Sequence, residues 1–466
     1  MSKAIVMCSQ QLAAQAGEQV LRDGGNAIDA AIATAFALTV VDPPNCALTG
    51  YGGYMTVKKP NDAQAHVVDF NTTVPKGYDP VLSSQSARIN GFLYGGVSVS
   101  VPGVPAGLVA AHQRFGSREF SSLAEPAIAA AEDGFPVGKN LARALAWGQT
   151  VLPHTNAAWR EIFAPRGSVL QEGEVLVQPD LAQTLRRFVA KPSSFYTDEI
   201  GSQLAQDVRD CGGVITSEDM AQMRATVALA ATCVAKECEI HGPPIDFSGF
   251  GVFKRALEAL VEGGDVMNLG VKDYVCALQD AWAWRRSEIQ IPASPTQHTT
   301  HFCVVDASGM MVACTFTLGP LWFGSLRVLE GTGLVLNCGL NLIRQNRRSG
   351  ELMMVNNLTP IIARDAQNRF YAVGTPGGTR IPAVVLRLFL ESALAGRPLQ
   401  DVMELPRIAV RPDGTPELEA VFDFGEHYET LGAEDFYGPA SIVRRNTDGE
   451  LEIGRDPRFE TGVAWV

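Results

Sequence analysis

Apolar residues in the first half of the chain recur mostly at helical spacing. In Gln11 to Arg22 they fall at Leu12, Ala16, Val20 and Leu21, a one-sided stripe that stops at Asp23-Gly24-Gly25, where glycine can take a left-handed cap. Ala27 to Val41 is apolar nearly all round, the mark of a helix covered on most sides. It must end before Pro43-Pro44, because proline cannot extend the helical ladder. Glycine-dense Thr49 to Tyr54 then leads into Met55 to Lys58 and strand-like His66 to Phe70, and glycines this close together permit near approach of backbone. Ser98 to Ala106, rich in valine, proline and glycine, feeds a helix over Gly107 to Phe115. Leu123 to Asp133 and Asp180 to Val189 repeat the helical pattern, and Gly212-Gly213 with Thr216 to Met220 reads as a turn and a capped short helix. Ala225 to Cys238 stays open between helix and strand, since alanine favours one and valine and threonine the other. Beyond the loop Gly242 to Gly251, Val252 to Val261 and Val271 to Trp284 are helical.

The period changes near Pro292. Thr300 to Val305 and Met310 to Thr317 are β-branched and apolar and are joined by Asp306 to Gly309, a hairpin. Leu358 to Arg364 with Phe370 to Gly374 form a second hairpin, and Ser441 to Arg444 with Leu451 to Ile453 a third around Asp448-Gly449. Ile381 to Leu394 is an apolar helix between them. Helices outside antiparallel hairpin sheets predict a layered α/β unit. A length of 466 residues would allow about three domains at roughly 150 each, but no repeat or linker divides the chain.

Composition narrows the function classes. Hydrophobic residues make up 46% and charged residues 19%, enough for a large core and unlike a disordered chain. With 38 Lys plus Arg against 50 Asp plus Glu the net charge is -12, which argues against a nucleic-acid partner. The longest apolar run, Ala27 to Val41, carries Asp29 and falls short of the roughly 20 residues of a membrane span. Ala4 to Cys8 is too short for a secretory signal, so a cytoplasmic setting is expected. Nine cysteines, an odd number without CxxC spacing, suggest reduced, buried thiols rather than a disulfide framework or a metal site, and no metal or cofactor is expected.

Taken alone, the threonines and histidines of His298 to His301 are an ordinary strand entry. The wider pattern gives them meaning. Gly24-Gly25-Asn26-Ala27-Ile28-Asp29-Ala30-Ala31 resembles the opening signature of the γ-glutamyltranspeptidase family. Val99 to Gly107, Gln178 to Leu185, Thr299 to Phe302 with Val304-Val305-Asp306, Gly374 to Ile381 and Asp456-Pro457-Arg458 resemble later segments of that family, in order. The resemblance implies an αββα N-terminal-nucleophile hydrolase, a four-layer sandwich with antiparallel sheets, made as a precursor that cuts its own backbone before a threonine. Here that implies cleavage between His298 and Thr299, giving a large segment 1–298 and a small segment 299–466 that stay associated; a homodimer of the processed unit is left open. Chemistry agrees, because a threonine hydroxyl needs an adjacent base, and a terminal α-amine with a pKa of about 7.7 to 8.0 can serve near neutral pH. The resemblance also assigns Gly377 and Gly378 as amide donors to the oxyanion, and Thr317 as the second threonine that helps hold the nucleophile's amino group.

The positions that grip a γ-glutamyl group differ. The family's arginine for the substrate carboxylate falls at Asn71, its serine pair at Asn356-Asn357, its acidic residue at Leu342 and that residue's glutamine or glutamate partner at Gly339; an asparagine after the second threonine becomes Gly319. A neutral amide does not replace a bidentate guanidinium. Tyr51, Phe70, Trp322 and Phe323 lie next to site positions and could narrow the pocket or belong to the core. Arg380, beside the oxyanion loop, could meet a carboxylate or serve the structure. The expected substrate is therefore a small molecule without the free amino-acid head, as in relatives that hydrolyse oxamate or acylated antibiotics, or that cleave a carbon–carbon bond next to a carbonyl. The alternatives are a glutathione hydrolase or transferase with a rearranged pocket, and an uncut, inactive binding protein.

Overall fold

Thr300–Val305 and Met311–Thr317 are buried at every position, which requires cover on both faces of their sheet. A computed structural model, describing residues 3–263, 266–291, 298–421, 428–432 and 438–466, shows how that cover is supplied. The hairpin lies at the centre of a seven-stranded antiparallel sheet, in the order Gly462–Trp465, Ile5–Cys8, Thr300–Val305, Met311–Thr317, Gly52–Lys58, His66–Asp69, Thr226–Leu229. A six-stranded antiparallel sheet stacks on it, in the order Leu451–Arg455, Ser441–Arg445, Phe370–Gly374, Ile361–Arg364, Cys238–Gly242, Ala231–Ala235. Between them is an apolar layer that includes Ile5, Met7, Cys303, Val305, Ile362, Ala372 and Val443.

Helices close both outer faces. Gln11–Arg22 and Ala27–Val41 cover the seven-stranded sheet, and all fifteen residues of the second are buried, as its unbroken apolar sequence requires. Phe250–Glu262, Val271–Glu288 and Ile381–Phe389 cover the six-stranded sheet. The result is the expected four-layer αββα sandwich. No helix among the described residues is long and apolar enough to cross a membrane.

Several of the sequence signatures are joints of this frame. Asn26 caps the buried helix by accepting from Ile28 and Asp29 N–H, Asp29 completes the capping box, and Asp306 Oδ2 accepts the Ala27 N–H at 2.8 Å. The central hairpin's turn is thereby tied to the positive end of that helix; each such cap contributes about 1 kcal/mol. Asp456 accepts from Arg407, Arg458 and the Ala440 N–H, fastening the C-terminal segment to the core. At Gly374 the sheets meet so closely that a Cβ would lie 2.1 Å from the His301 ring.

Candidate active site

Thr299 stands one residue before strand Thr300–Val305 and lines two cavities. One, about 20 Å³, also touches Tyr51, Thr317, Leu342, Asn356 and Gly378. The other, about 30 Å³, extends toward Asp42, Asn45, Arg143, Trp322 and Phe459. The cavities meet at the peptide bond between His298 and Thr299.

That bond is held in an unusual geometry. His298 has φ +70°, a region that a residue with a side chain adopts rarely and at a cost of order 1–3 kcal/mol. Its ring lies on Trp322 with centroids 4.5 Å apart. Its carbonyl oxygen accepts a 2.8 Å hydrogen bond from Thr317 Oγ1, which in turn accepts the Gly319 N–H at 2.9 Å. The Gly319 contact orients the hydroxyl so that its hydrogen falls on the His298 carbonyl. In the continuous chain, Thr317 thus serves the carbonyl before Thr299 rather than an amino group. Burial, reinforced by Arg143, pushes the His298 imidazole down to about 3, so the ring is neutral.

Gly377 and Gly378 follow Pro376 with φ +129° and +60°, two consecutive conformations that residues with a Cβ avoid. They open the 3-10 turn Gly378–Arg380, which runs into helix Ile381–Phe389. Pro376 lines one of the Thr299 cavities and Gly378 the other, so this loop brackets the threonine at a helix N-terminus, where amide groups favour negative charge.

Of the specificity positions, Leu342, Asn356 and Asn357 line the smaller cavity, as does Gly319. Asn71 stands behind it: Nδ2 donates to Asp69 Oδ1 at 2.8 Å, and Oδ1 accepts from Asn356 Nδ2 at 2.9 Å. A hydrogen-bonded Asp69–Asn71–Asn356 chain braces the wall there, and burial pushes the Asp69 carboxyl up while its bonds from Asn71 oppose that. Gly339 is a packing requirement, since a Cβ there would lie 2.2 Å from Ser100 Oγ and 2.5 Å from Tyr51 Cβ. Tyr51 occupies that side of the cavity. Arg380 is not brought to the cavities. It is 4% exposed and makes a two-pronged pair with Glu417, at 2.8 and 2.9 Å. Trp322 lines the larger cavity, while Phe70 is core and Phe323 packs on Trp159 and Phe163.

Sequence reasoning missed Asp42. Buried at the end of the apolar helix, it accepts from Asn45 Nδ2 at 2.8 Å and Ser9 Oγ at 3.2 Å and shares a cavity with Thr299. Burial raises its carboxyl to about 7, against the lowering effect of Asn45, Ser9 and Thr300. Its only sequence signal was an acid closing an otherwise apolar helix. His301, by contrast, is a core residue: it bonds Thr315 Oγ1 at 2.8 Å and Cys303 Sγ at 3.2 Å, and burial pushes it down to about 3.

Comparison with known proteins bears on the family and the fold. The gamma-glutamyltranspeptidase family model matches residues 13–283 and 275–465. A glutathione hydrolase proenzyme of Pseudomonas sp. (strain A14) is 28% identical over 99% of this chain and 93% of its own length. An acylase ACY 1 proenzyme of Pseudomonas sp. (strain SE83) is 27% identical over 97% of this chain and 91% of its own. In fold, the chain is similar to cephalosporin acylase from Bacillus halodurans, with a TM-score of 0.86, 22% identity and coverage of 99% and 96%. A full-length match, a four-layer sandwich and a glycine loop around a strand-entry threonine lead to one conclusion: the chain belongs to the γ-glutamyltranspeptidase family and is an N-terminal-nucleophile hydrolase.

Proposed function

We propose that the chain is a self-cleaving amidohydrolase or acylase with Thr299 as nucleophile, acting on a small amide or acyl substrate other than a γ-glutamyl one. The observation that carries this reading is the 2.8 Å hydrogen bond from Thr317 Oγ1 to the carbonyl oxygen of His298. A donor on the carbonyl stabilises the oxyanion that forms when Thr299 Oγ attacks it, and the backbone strain at His298 is released on cleavage. The attack forms an ester to Thr299 Oγ and breaks the peptide C–N bond, whose nitrogen becomes the α-amine; water then hydrolyses the ester. Before cleavage no α-amine exists, so another base must take the hydroxyl proton. Asp42 is the carboxylate that shares a cavity with Thr299. Afterwards the α-amine serves Thr299 in turnover, Thr317 is released from the carbonyl, and Gly377 and Gly378 receive the substrate's oxyanion. Segments 1–298 and 299–466 remain together because both contribute strands to each sheet, alternating in the seven-stranded one and meeting side by side in the six-stranded one. The proenzyme names of the relatives favour the same sequence of events.

The substrate reading rests on the wall. Asn71, Asn356, Leu342 and Gly339 offer no charge to a zwitterionic amino acid, and a buried ion without a partner loses several kcal/mol. Glutathione hydrolysis is the second reading, favoured by the name of the Pseudomonas relative. Purified wild-type chain should hydrolyse simple acyl anilides and leave γ-glutamyl anilide untouched, and Thr299→Ala should hydrolyse neither. Rapid γ-glutamyl turnover would favour the second reading, and activity in Thr299→Ala would sink the mechanism.

A further inference from the structure

Most arginines of the core stand on carboxylates: Arg380 on Glu417, Arg407 on Asp456, Arg458 on Glu419. Buried Arg285 does not, donating to the Asn356 carbonyl, and neither do half-buried Arg344 and exposed Arg88 and Arg347. Arg88, Arg344 and Arg347 line one open cavity of about 510 Å³, together with Tyr78, Gln290 and Asn341, and no carboxylate is among its described lining residues. Each arginine donates only to backbone carbonyls: Arg88 to Gly91 and Ser83, Arg344 to Ile343, Arg347 to Arg286. In a protein of net charge -12 this is a concentrated positive site.

Like charges around one cavity repel, and a guanidinium withdrawn from water without a counter-ion is costly. Arg344 shows that strain: burial pushes it down to about 10, Arg88 adds to the effect, and Tyr78 and Tyr51 only partly oppose it. An anion would relieve it, and guanidinium forks match the oxygens of phosphate and carboxylate. The cavity also adjoins the reaction centre. Leu342 lines the Thr299 cavity while Ile343 and Arg344, next in sequence, line this one, and Tyr51 of the Thr299 cavity lies within electrostatic reach of Arg344.

We propose that this cavity binds a multiply charged oxyanion, a phosphate or paired carboxylates, carried at the far end of the substrate whose acyl carbon reaches Thr299. The charge recognition absent from the neutral wall is displaced to Arg88, Arg344 and Arg347. The site rests on the arginines alone; its service to the substrate rests on the amidohydrolase reading. Calorimetric titration of the uncut Thr299→Ala chain with pyrophosphate and with citrate reads the site without any turnover, and the tighter of the two identifies the oxyanion. Arg344→Gln should weaken binding at least tenfold. Arg348→Gln, whose native partner is Glu288, should leave it unchanged. Exposed Arg88→Gln and Arg347→Gln give the same reading if Arg344→Gln fails to fold. Absence of binding, or equal loss in Arg348→Gln, overturns the site. In the wild-type background, Arg344→Gln should raise KM at least tenfold for an acyl anilide ending in a phosphate, leaving kcat and the uncharged analogue unaffected. Equal KM values for the two would overturn the link to substrate, and a processed chain without amidase activity would instead refute the function on which that link rests.

Discussion

Replacing Asp42 by asparagine in the uncut Thr299→Ala chain should make the protein more stable at pH 8 and change how stability depends on pH. The Asp42 carboxyl is raised by burial from 3.8 to about 7. A raised acid contributes stability that is fully present below the unfolded value and is lost as pH climbs through the folded one. Between about pH 4 and 7 the unfolded chain has released this proton and the native chain has kept it. Stability from this group therefore falls by about 1.4 kcal/mol per pH unit, or about 4 kcal/mol across the window, and levels off above it. His298 and His301 act in the opposite direction, because both are pushed down to about 3 and favour the native state as pH rises toward 6.5. The difference between Asp42→Asn and its parent cancels them. Urea unfolding of both proteins from pH 4 to 8.5 should give a gap that opens in favour of asparagine as pH rises and is largest above pH 7. A gap independent of pH, or one that opens toward acid, would refute the assignment.

With Thr299 intact, Asp42→Asn should slow self-cleavage by about 10² to 10⁴, the usual contribution of a general base, as followed on denaturing gels. Gly378→Ala places a Cβ at φ +60° beside Thr299; kcat should drop by about 10² to 10³ with KM little changed, as loss of one oxyanion donor does. Gly339→Gln, which restores a family-like side chain, should not create γ-glutamyl activity. It would collide with Ser100 and Tyr51 and lower stability by about 1–3 kcal/mol, read as a fall in Tm.

The hairpins and buried helices were legible because each is a local pattern. Thr300–Val305 with Met311–Thr317, and Gln11–Arg22, follow their sequence periods to within a residue. Ile5–Cys8 was not: read only as a short apolar stretch, it is a strand beside Thr300–Val305 and the C-terminal strand Gly462–Trp465, partners hundreds of residues away. Ala225 to Cys238 was ambiguous for a related reason. It supplies edge strands to both sheets, Thr226–Leu229 to one and Ala231–Ala235 to the other, and the switch near Ala230 interrupts any single period. Thr299, Thr317 and the glycine loop were found by resemblance, and the structure brings Thr299, Thr317 and Gly378 around one cavity. What each charge does could not be read in advance, because pairing is tertiary: Arg380 was ambiguous until Glu417 was seen beside it, and nothing in the sequence singled out Arg344, whose cavity has no acid among its described lining residues.

The proposed turnover depends on Thr299 becoming a chain terminus. Intact-mass measurement of the purified wild-type protein, with N-terminal sequencing of the smaller species, tests this directly. The account predicts two associated polypeptides, the smaller beginning Thr299-Thr300-His301-Phe302, and a single uncut species in Thr299→Ala. A wild-type chain that remains whole on long incubation, or that is cut at another bond, would contradict it.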